Sequence, residues 1–248
     1  MNPYETDKLV NEYLLFHYGA DAVQMPWAFG PSEALHYPLR CVEELLDAAS
    51  LPANARALDI GCAVGASSFA LARYCTSVLG VDFSAAFISA ARELAEKGEK
   101  PFEYVEVGTI RQAALAKVPG DVDRSRVSFE VGDACNLRAG IGCFDVVLAA
   151  NLLCRLPRPR QFLARLPELI EPGGQLLMTT PNTWLEEYTA PEEWIGATPQ
   201  AGQPFDVLQA ILDPHFELIK QQDMPFLIRE HARKFQWSVA LGSVWRRR

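Results

Sequence analysis

Long hydrophobic runs are missing from this chain of 248 residues. No apolar stretch approaches the length of about 18 residues that a transmembrane helix needs. The segment Met1–Asp7 is polar and acidic, so it lacks the basic and apolar regions of a signal peptide. We therefore expect a cytoplasmic protein with no membrane partner.

Metal-binding patterns are also lacking. The six cysteines, at positions 41, 62, 75, 135, 143 and 154, form no Cys-x-x-Cys pair, and the chain has only four histidines. Most of these cysteines lie in apolar surroundings, which favours reduced core thiols. We expect no bound metal.

An excess of positive charge is absent as well. Lys and Arg number 23 against 31 Asp and Glu, giving a net charge of −8, which argues against a protein that binds nucleic acid. The hydrophobic fraction of 49% and the charged fraction of 22% exclude a disordered chain or a coiled coil. The length suits one domain, with a helical cap at 1–52 and an α/β core at 53–248.

What the chain does contain is an alternation of short apolar strands and amphipathic helices. The expected strands are Ala55–Ile60, Ser77–Val81, Val127–Val131, Phe144–Ala149 and Gln175–Thr180, and the expected helices between them are Ala66–Tyr74, Ser84–Glu96 and Pro159–Ile170. This order predicts a doubly wound, mostly parallel sheet that binds ligands beyond the carboxyl ends of its strands.

Segments at both ends of the chain, and one in its middle, fall outside this alternation. Helical periodicity predicts two N-terminal helices, at 5–18 and 33–49. An extra strand is expected at Phe102–Val107. Near the C-terminus, Phe216–Gln222 and Lys234–Trp245 follow each other without a helix, which predicts an antiparallel strand pair at the edge of the sheet.

The segment Ala57–Ser68 is the most informative one. Its strand ends in Asp59-Ile60-Gly61 and turns through Gly65 into a helix, and glycine lets the backbone approach a ligand closely. The spacing Gly-x-x-x-Gly is neither the dinucleotide fingerprint nor a phosphate loop. Because tight α/β turns need glycine anyway, this motif alone is weak.

Two further acids follow strand ends. Asp82 comes 23 residues after Asp59, where a carboxylate can accept both hydrogen bonds of a ribose diol. The alternative, a cap for the next helix, can be supplied by Ser84 instead. Asp133 ends the third strand and is equally compatible with an adenine contact and with an ordinary turn.

Together these motifs resemble the class I S-adenosylmethionine-dependent methyltransferases over about residues 55–180. The segments Phe144–Asn151 and Glu171–Leu177 are similar to their fourth strand and to the turn into their fifth. The resemblance implies a seven-stranded Rossmann-like sheet and S-adenosylmethionine as cofactor. By this resemblance, Gly61, Cys62 and Gly65 line the methionine part, Asp82 binds the ribose, Asp133 and Ala134 the adenine, Asn151 and Leu152 lie under the methyl, and Asp59 and Phe83 complete the site.

Segments outside this core resemble a narrower family, the mercaptohistidine N-methyltransferases of ovothiol biosynthesis. The similar stretches are Tyr4–Gly19, Phe102–Gly108, Thr183–Thr189, Phe226–Glu230 and Trp245–Arg247. They imply a free-standing enzyme that methylates an imidazole nitrogen of a small molecule. The chain departs from the family pattern at His36-Tyr37, where the family has Asn-Phe.

The candidates for the acceptor pocket lie in the cap and in the later insertions. They are Tyr4, His17, Tyr18, Trp184, Glu186, Tyr188 and Arg229. His17 fits a core stripe equally well, and Arg229 a surface salt bridge. A different small amine, acid or hydroxyl acceptor, or a cofactor-binding regulator without activity, stays open. No catalytic base and no oligomeric state is predicted.

Overall fold

The computed structural model describes residues 3–248, so Met1 and Asn2 of the expected cap lie outside it. The strands are β1 (Arg56–Ile60), β2 (Ser77–Asp82), β3 (Glu99–Val107), β4 (Ile110–Lys117), β5 (Val127–Val131), β6 (Phe144–Ala150), β7 (Ile170–Thr180), β8 (Phe216–His231) and β9 (Lys234–Arg247). The α-helices are α1 (Asp7–Tyr18), α2 (Asp21–Gln24), α3 (Tyr37–Glu43), α4 (Ala66–Leu71), α5 (Ala85–Lys97), α6 (Pro159–Leu169) and α7 (Pro204–Leu212).

Seven strands form the main sheet, in the order β5-β2-β1-β6-β7-β9-β8. The first five strands are parallel, whereas β9 pairs antiparallel with both β7 and β8. The doubly wound sheet and the antiparallel C-terminal pair are therefore confirmed. The chain order reverses between β1 and β6, and such a switch point opens a crevice at the carboxyl ends of the strands.

The two faces of the sheet are covered by different parts of the chain. The cap and helices α4 and α5 pack on one face, where Phe69 is buried, and α6 and α7 pack on the other, where Phe162 is buried. Burying one such side chain contributes about 1.5–3 kcal/mol. Because both faces are covered, the central strands are apolar on both sides, as in Val146 and Val147 of β6.

The second cap helix is shorter than predicted. The periodicity indicates a helix at 33–49, but the structure has a short 3₁₀ turn at Ser32–Ala34 and then α3, which starts only at Tyr37. Pro38 explains the late start, because proline lacks the N–H of a helix interior and fits only its first turn. His36, just before α3, adopts the left-handed conformation with φ 56°.

The expected strand at Phe102–Val107 belongs to a separate hairpin of β3 and β4. This hairpin packs against α1 and α5 on the cap side of the sheet. Within residues 3–248, no helix is long and apolar enough to cross a membrane.

Candidate functional site

The turn Gly61–Gly65 leaves the carboxyl end of β1 and is held by the neighbouring strand. The N–H groups of Gly61 and Cys62 donate to the Val81 carbonyl at 2.7 and 3.1 Å. Gly61 has φ +78°, and a Cβ there would lie 3.0 Å from the Leu152 side chain. The structure therefore brings together Gly61 and Leu152, two predicted site residues from β1 and from the segment after β6.

Packing by itself requires glycine at position 65, independently of the predicted methionine contact. Its φ is +91°, and a Cβ would lie 2.7 Å from the Phe129 ring of β5. Tight packing between the turn and β5 thus excludes any larger residue. Sequence inspection cannot separate this packing demand from a ligand contact, because both require the same residue.

Asp82 stands at the tip of β2 and joins it to the glycine turn. Its Oδ2 accepts the N–H of Ala63 at 2.9 Å, and its Oδ1 accepts the N–H of Ser84 at 2.8 Å. Ser84 itself caps α5, so Asp82 is not needed as the helix cap. Burial raises the pKa of Asp82 against these two hydrogen bonds. Each carboxylate oxygen keeps one lone pair for a ligand hydroxyl.

Asp59 is buried beneath the turn. Its Oδ2 accepts hydrogen bonds from the hydroxyls of Ser67 and Ser68 at 2.8 and 2.6 Å, while its buried Oδ1 has no protein partner. Burial raises the pKa of Asp59 to about 6. A buried acceptor without a partner is costly, so this oxygen has spare capacity for a hydrogen-bond donor.

Apolar side chains flank the tips of β2 and β5. Phe83 is 65% exposed and Val131 is 51% exposed, although both belong to the side-chain classes that are usually buried. Asp133 follows β5 and its Oδ1 accepts the N–H of Cys135 at 2.8 Å. Asp133 is thus a turn residue with its other oxygen available, next to the buried Ala134.

Asn151 follows β6 in the left-handed conformation, with φ 51°. Its Oδ1 lies 2.8 Å from the Tyr37 hydroxyl and 3.1 Å from the Thr179 hydroxyl, and these two hydroxyls are 2.7 Å apart. The two hydroxyl protons need an acceptor in this group, and the amide oxygen provides it. The side-chain N–H groups of Asn151 therefore point away from Tyr37 and Thr179, whereas its backbone N–H donates to Thr179.

The end of α1 holds the glycine turn from the cap side. The Tyr18 hydroxyl donates to the Val64 carbonyl at 2.8 Å, and His17 Nδ1 accepts the N–H of Ala66 at 3.3 Å. Burial lowers the pKa of His17 to about 3, so the ring is neutral at pH 7. The structure thus places these two acceptor candidates against the turn.

Three tyrosines form what we call the aromatic wall: Tyr4, Tyr13 and Tyr188. The ring of Tyr4 lies 6.2 Å from that of Tyr13 and 6.4 Å from that of Tyr188. Burial raises the pKa of Tyr13 to about 12, and that of Tyr4 also rises, so both phenols are neutral. The wall joins the cap to the loop after β7 and brings the two acceptor candidates Tyr4 and Tyr188 together.

The remaining candidates differ in their surroundings. Trp184 is buried against Trp194, with ring centroids 6.4 Å apart, and Glu186 is exposed. Arg229 lies elsewhere: it is buried, donates to Val23 O and to Glu106 Oε2, and stacks on Tyr104. Arg229 therefore pairs with the β3–β4 hairpin rather than with the aromatic wall.

Arg155 is the residue of this region that the sequence analysis missed. Its guanidinium lies 5.0 Å above the Tyr188 ring, and its Nη1 donates to the Thr183 carbonyl at 2.7 Å. Its position four residues after Asn151, close behind a strand end, was the available signal. No group of three metal-ligating side chains occurs among residues 3–248.

S-adenosylmethionine fits these residues on three counts. Asp82 has free lone pairs at a strand tip, where a ribose diol can donate to them. The exposed Phe83 and Val131 offer apolar surface to a purine. The absent Cβ of Gly61 lets the Leu152 side chain approach the turn, so two expected site residues stand together at the strand ends. The fold and this turn are typical of the class I S-adenosylmethionine-dependent methyltransferases.

Comparison with known sequences agrees with this class. Residues 58–176, just under half of the chain, match the family described as "Methyltransferase domain". A probable tocopherol O-methyltransferase of Oryza sativa is 29% identical over 62% of this chain and 37% of its own length. A ubiquinone biosynthesis O-methyltransferase of Xanthomonas axonopodis is 28% identical over 62% of this chain and 55% of its own length. The chain thus spans about half or less of these relatives.

Solved structures share the fold at low sequence identity. A Methanosarcina mazei S-adenosylmethionine-dependent methyltransferase has a TM-score of 0.55 at 20% identity, covering 80% of this chain and 94% of its own. The N-methyltransferase NodS of Bradyrhizobium japonicum, in complex with S-adenosyl-L-homocysteine, has a TM-score of 0.52 at 16% identity, covering 96% and 98%. The expected fold class and cofactor are confirmed.

Proposed function

We propose that this chain transfers the methyl group of S-adenosylmethionine to an imidazole nitrogen of 4-mercaptohistidine. One observation carries the proposal: the stretches that resemble the ovothiol family outside the common core meet in space. Tyr4–Gly19 meets Thr183–Thr189 through Tyr4 and Tyr188. Phe102–Gly108 meets Phe226–Glu230 through the ion pair of Glu106 and Arg229, 2.6 Å long.

The aromatic wall suits a flat acceptor ring. It stands next to the Thr183–Thr189 loop, beyond the carboxyl end of β7, while Asn151 follows the neighbouring strand β6. Aromatic surfaces with a few fixed polar groups are typical of small-ligand pockets. In the proposed site, the wall holds the ring and the outward N–H groups of Asn151 face a lone pair of the acceptor.

The proposed reaction needs alignment more than proton removal. The cofactor supplies an electrophilic methyl group, and a neutral imidazole nitrogen already carries the lone pair that attacks it. His17 is a weak base with a pKa of about 3, and its Nδ1 is occupied by Ala66. The chain's residues therefore act by desolvating and orienting the ring, which accounts for large rate effects in such displacements.

A second candidate is methylation of a hydroxyl group on another small molecule. The curated relatives are named as O-methyltransferases of tocopherol and ubiquinone biosynthesis, and each matches 62% of this chain. The family match at residues 58–176 contains the cofactor side of the cleft, whereas the aromatic wall draws on Tyr4 and Tyr13 of the cap. We therefore favour the nitrogen acceptor.

The test is mass spectrometry of the purified chain with S-adenosylmethionine and 4-mercaptohistidine. We expect one added methyl group on the ring nitrogen, and none on histidine or on a catechol tested in parallel. The Asp82→Ala variant serves as control for cofactor-dependent transfer. Methylation of the catechol alone would favour the second candidate, and transfer to sulfur would contradict the proposed geometry.

Two further expectations accompany this proposal. We propose that residues 1–248 act as a single methyltransferase domain, because the cap at 1–52 supplies the wall and holds the glycine turn. We also propose a reducing, cytoplasmic setting. It is supported by six free cysteines, of which Cys143 alone is partly exposed and the others are buried.

A further inference from the structure

We propose that Arg155 binds the carboxylate of the methyl acceptor, which makes the acceptor an amino acid or another small organic acid. This inference rests on the proposed function and names a class of substrate for it. The sequence motifs do not include Arg155, and the arginine named among the acceptor candidates, Arg229, is already paired with Glu106.

Arg155 uses only Nη1 of its three guanidinium nitrogens in hydrogen bonds within residues 3–248. Nη1 of Arg155 is used by the carbonyls of Thr183 and Cys154, at 2.7 and 3.1 Å. Its Nε and Nη2 make no hydrogen bond to residues 3–248, and they are not sealed from solvent. These two nitrogens form the edge of the guanidinium that accepts a carboxylate with two parallel hydrogen bonds.

The positive charge of Arg155 is not balanced by any nearby acidic side chain that the structure describes. Arg155 is partly buried, and within the described part of the chain it has no acidic side chain within salt-bridge distance. Its nearest ring is Tyr188, and it acts electrostatically on the neutral phenols of Tyr4 and Tyr13. A cation without a counterion in such surroundings favours the binding of an anion.

Arg155 also contacts the loop that contributes Tyr188 to the aromatic wall. The loop that Arg155 contacts follows β7, whereas the glycine turn follows β1, and β6 lies between these two strands in the sheet. Arg155 thus lies on the aromatic-wall side of Asn151. Stacking on Tyr188 and the bond to Thr183 fix the plane of the guanidinium, so the orientation of the acceptor ring is fixed together with its carboxylate.

The experiment measures binding to the chain saturated with S-adenosyl-L-homocysteine, by calorimetry. The probes form two pairs: 4-mercaptohistidine with its decarboxylated analogue, and a phenolic acid with the matching phenol. We expect the wild type to bind one acid about 30-fold more tightly than its partner without the carboxylate. Arg155→Met should abolish this preference, and Arg155→Lys should keep part of it, because lysine retains the charge without the fork.

Arg160→Met is the matched control, since Arg160 is exposed on α6 and the charge change is the same. The control should keep the full preference, and thermal unfolding of every variant checks that it is folded. A preference seen only in the phenol pair supports Arg155 and overturns the mercaptohistidine proposal. A preference that survives in Arg155→Met, or no preference in either pair, overturns the role of Arg155.

The same carboxylate chemistry also occurs in the methionine part of the cofactor. Titration of S-adenosyl-L-homocysteine into the variants distinguishes the two sources. We expect Arg155→Met to change its affinity by less than about threefold, because the contribution of an uninvolved charge is small. A loss of about tenfold or more would assign Arg155 to the cofactor and overturn its role toward the acceptor.

Discussion

The cofactor side of the cleft and its acceptor side differ in how their groups are held. On the cofactor side, the glycine turn and Asp82 are fixed by backbone hydrogen bonds between adjacent parallel strands. On the acceptor side, the aromatic wall is assembled from side chains of the cap and of the loop after β7. The sheet itself therefore determines the geometry of the cofactor side, whereas packing between distant segments determines that of the acceptor side.

The largest effect should come from Asp82→Ala on the cofactor side. We expect the affinity for S-adenosyl-L-homocysteine to fall about 100-fold, because two charge-assisted hydrogen bonds to the ligand are lost. Calorimetric titration measures the change. Asp223→Ala, an exposed aspartate on β8, is the control and should bind normally. Unchanged binding by Asp82→Ala would remove Asp82 from the ribose site.

On the acceptor side, Tyr4→Ala should separate the two ligands. We expect the affinity for the acceptor to fall about tenfold, because an aromatic ring of the wall is lost, while the affinity for the cofactor product changes less than about threefold. Tyr74→Ala, which removes an exposed tyrosine, is the control. Equal loss of both ligands would show that Tyr4 only supports the fold.

The hydrogen bonds of Tyr37 belong to neither ligand, which sharpens the comparison. Tyr37→Phe removes one hydroxyl from the group with Asn151 and Thr179, and we expect the free energy of unfolding to fall by about 1 kcal/mol. Urea unfolding measures it, with Tyr74→Phe as control. An unchanged free energy of unfolding would mean that water replaces the hydroxyl without cost.

The smallest net effect should be that of pH on the stability of the wild type, because the two groups involved oppose each other. Asp59 has a folded pKa of about 6 against the ordinary 3.8, so the folded chain binds more protons between these values and its stability falls as pH rises. His17 has a folded pKa of about 3 against the ordinary 6.5. Between these two values the unfolded chain binds more protons than the folded chain, so stability rises with pH.

Matched variants separate these two contributions. In urea unfolding between about pH 4 and pH 6, Asp59→Asn should show a steeper rise of stability with pH than the wild type. His17→Asn should show a shallower rise over the same window, or a decrease. Parallel curves for all three proteins would contradict the burial of both groups as the cause of their pKa shifts.

The sequence reveals much of the cofactor side because its signals are local. Asp59, Gly61 and Gly65 lie within seven consecutive residues, and Asp82 marks the end of the next strand. The function of Gly65 could not be assigned, because its packing partner Phe129 lies on a strand far along the chain. Short-range patterns identify the turn but do not show which atoms press against it.

The acceptor side is less predictable because its partners are distant in sequence. Arg229 pairs with Glu106, which is 123 positions away, and no periodicity indicates such a pair. The orientation of Arg155 is determined only in the folded chain, by its contacts with Thr183 and Tyr188. The predicted start of the helix at 33–49 was wrong for a local reason. The sequence contains Pro38, and proline is confined to the first turn of a helix.

Helix α1 contributes to both sides of the cleft: its Tyr13 is part of the aromatic wall, and its last residue, Tyr18, donates to the glycine turn. Glu5, just before the helix, accepts the N–H groups of Ala85 and Ala86 at the start of α5, and Tyr18 at its end holds Val64. The helix has 12 residues and is about 18 Å long. We expect a shift that the cofactor imposes on the turn to move α1, and with it Tyr13 of the aromatic wall. Cofactor and acceptor affinities are then coupled, and the coupling is equal in both directions.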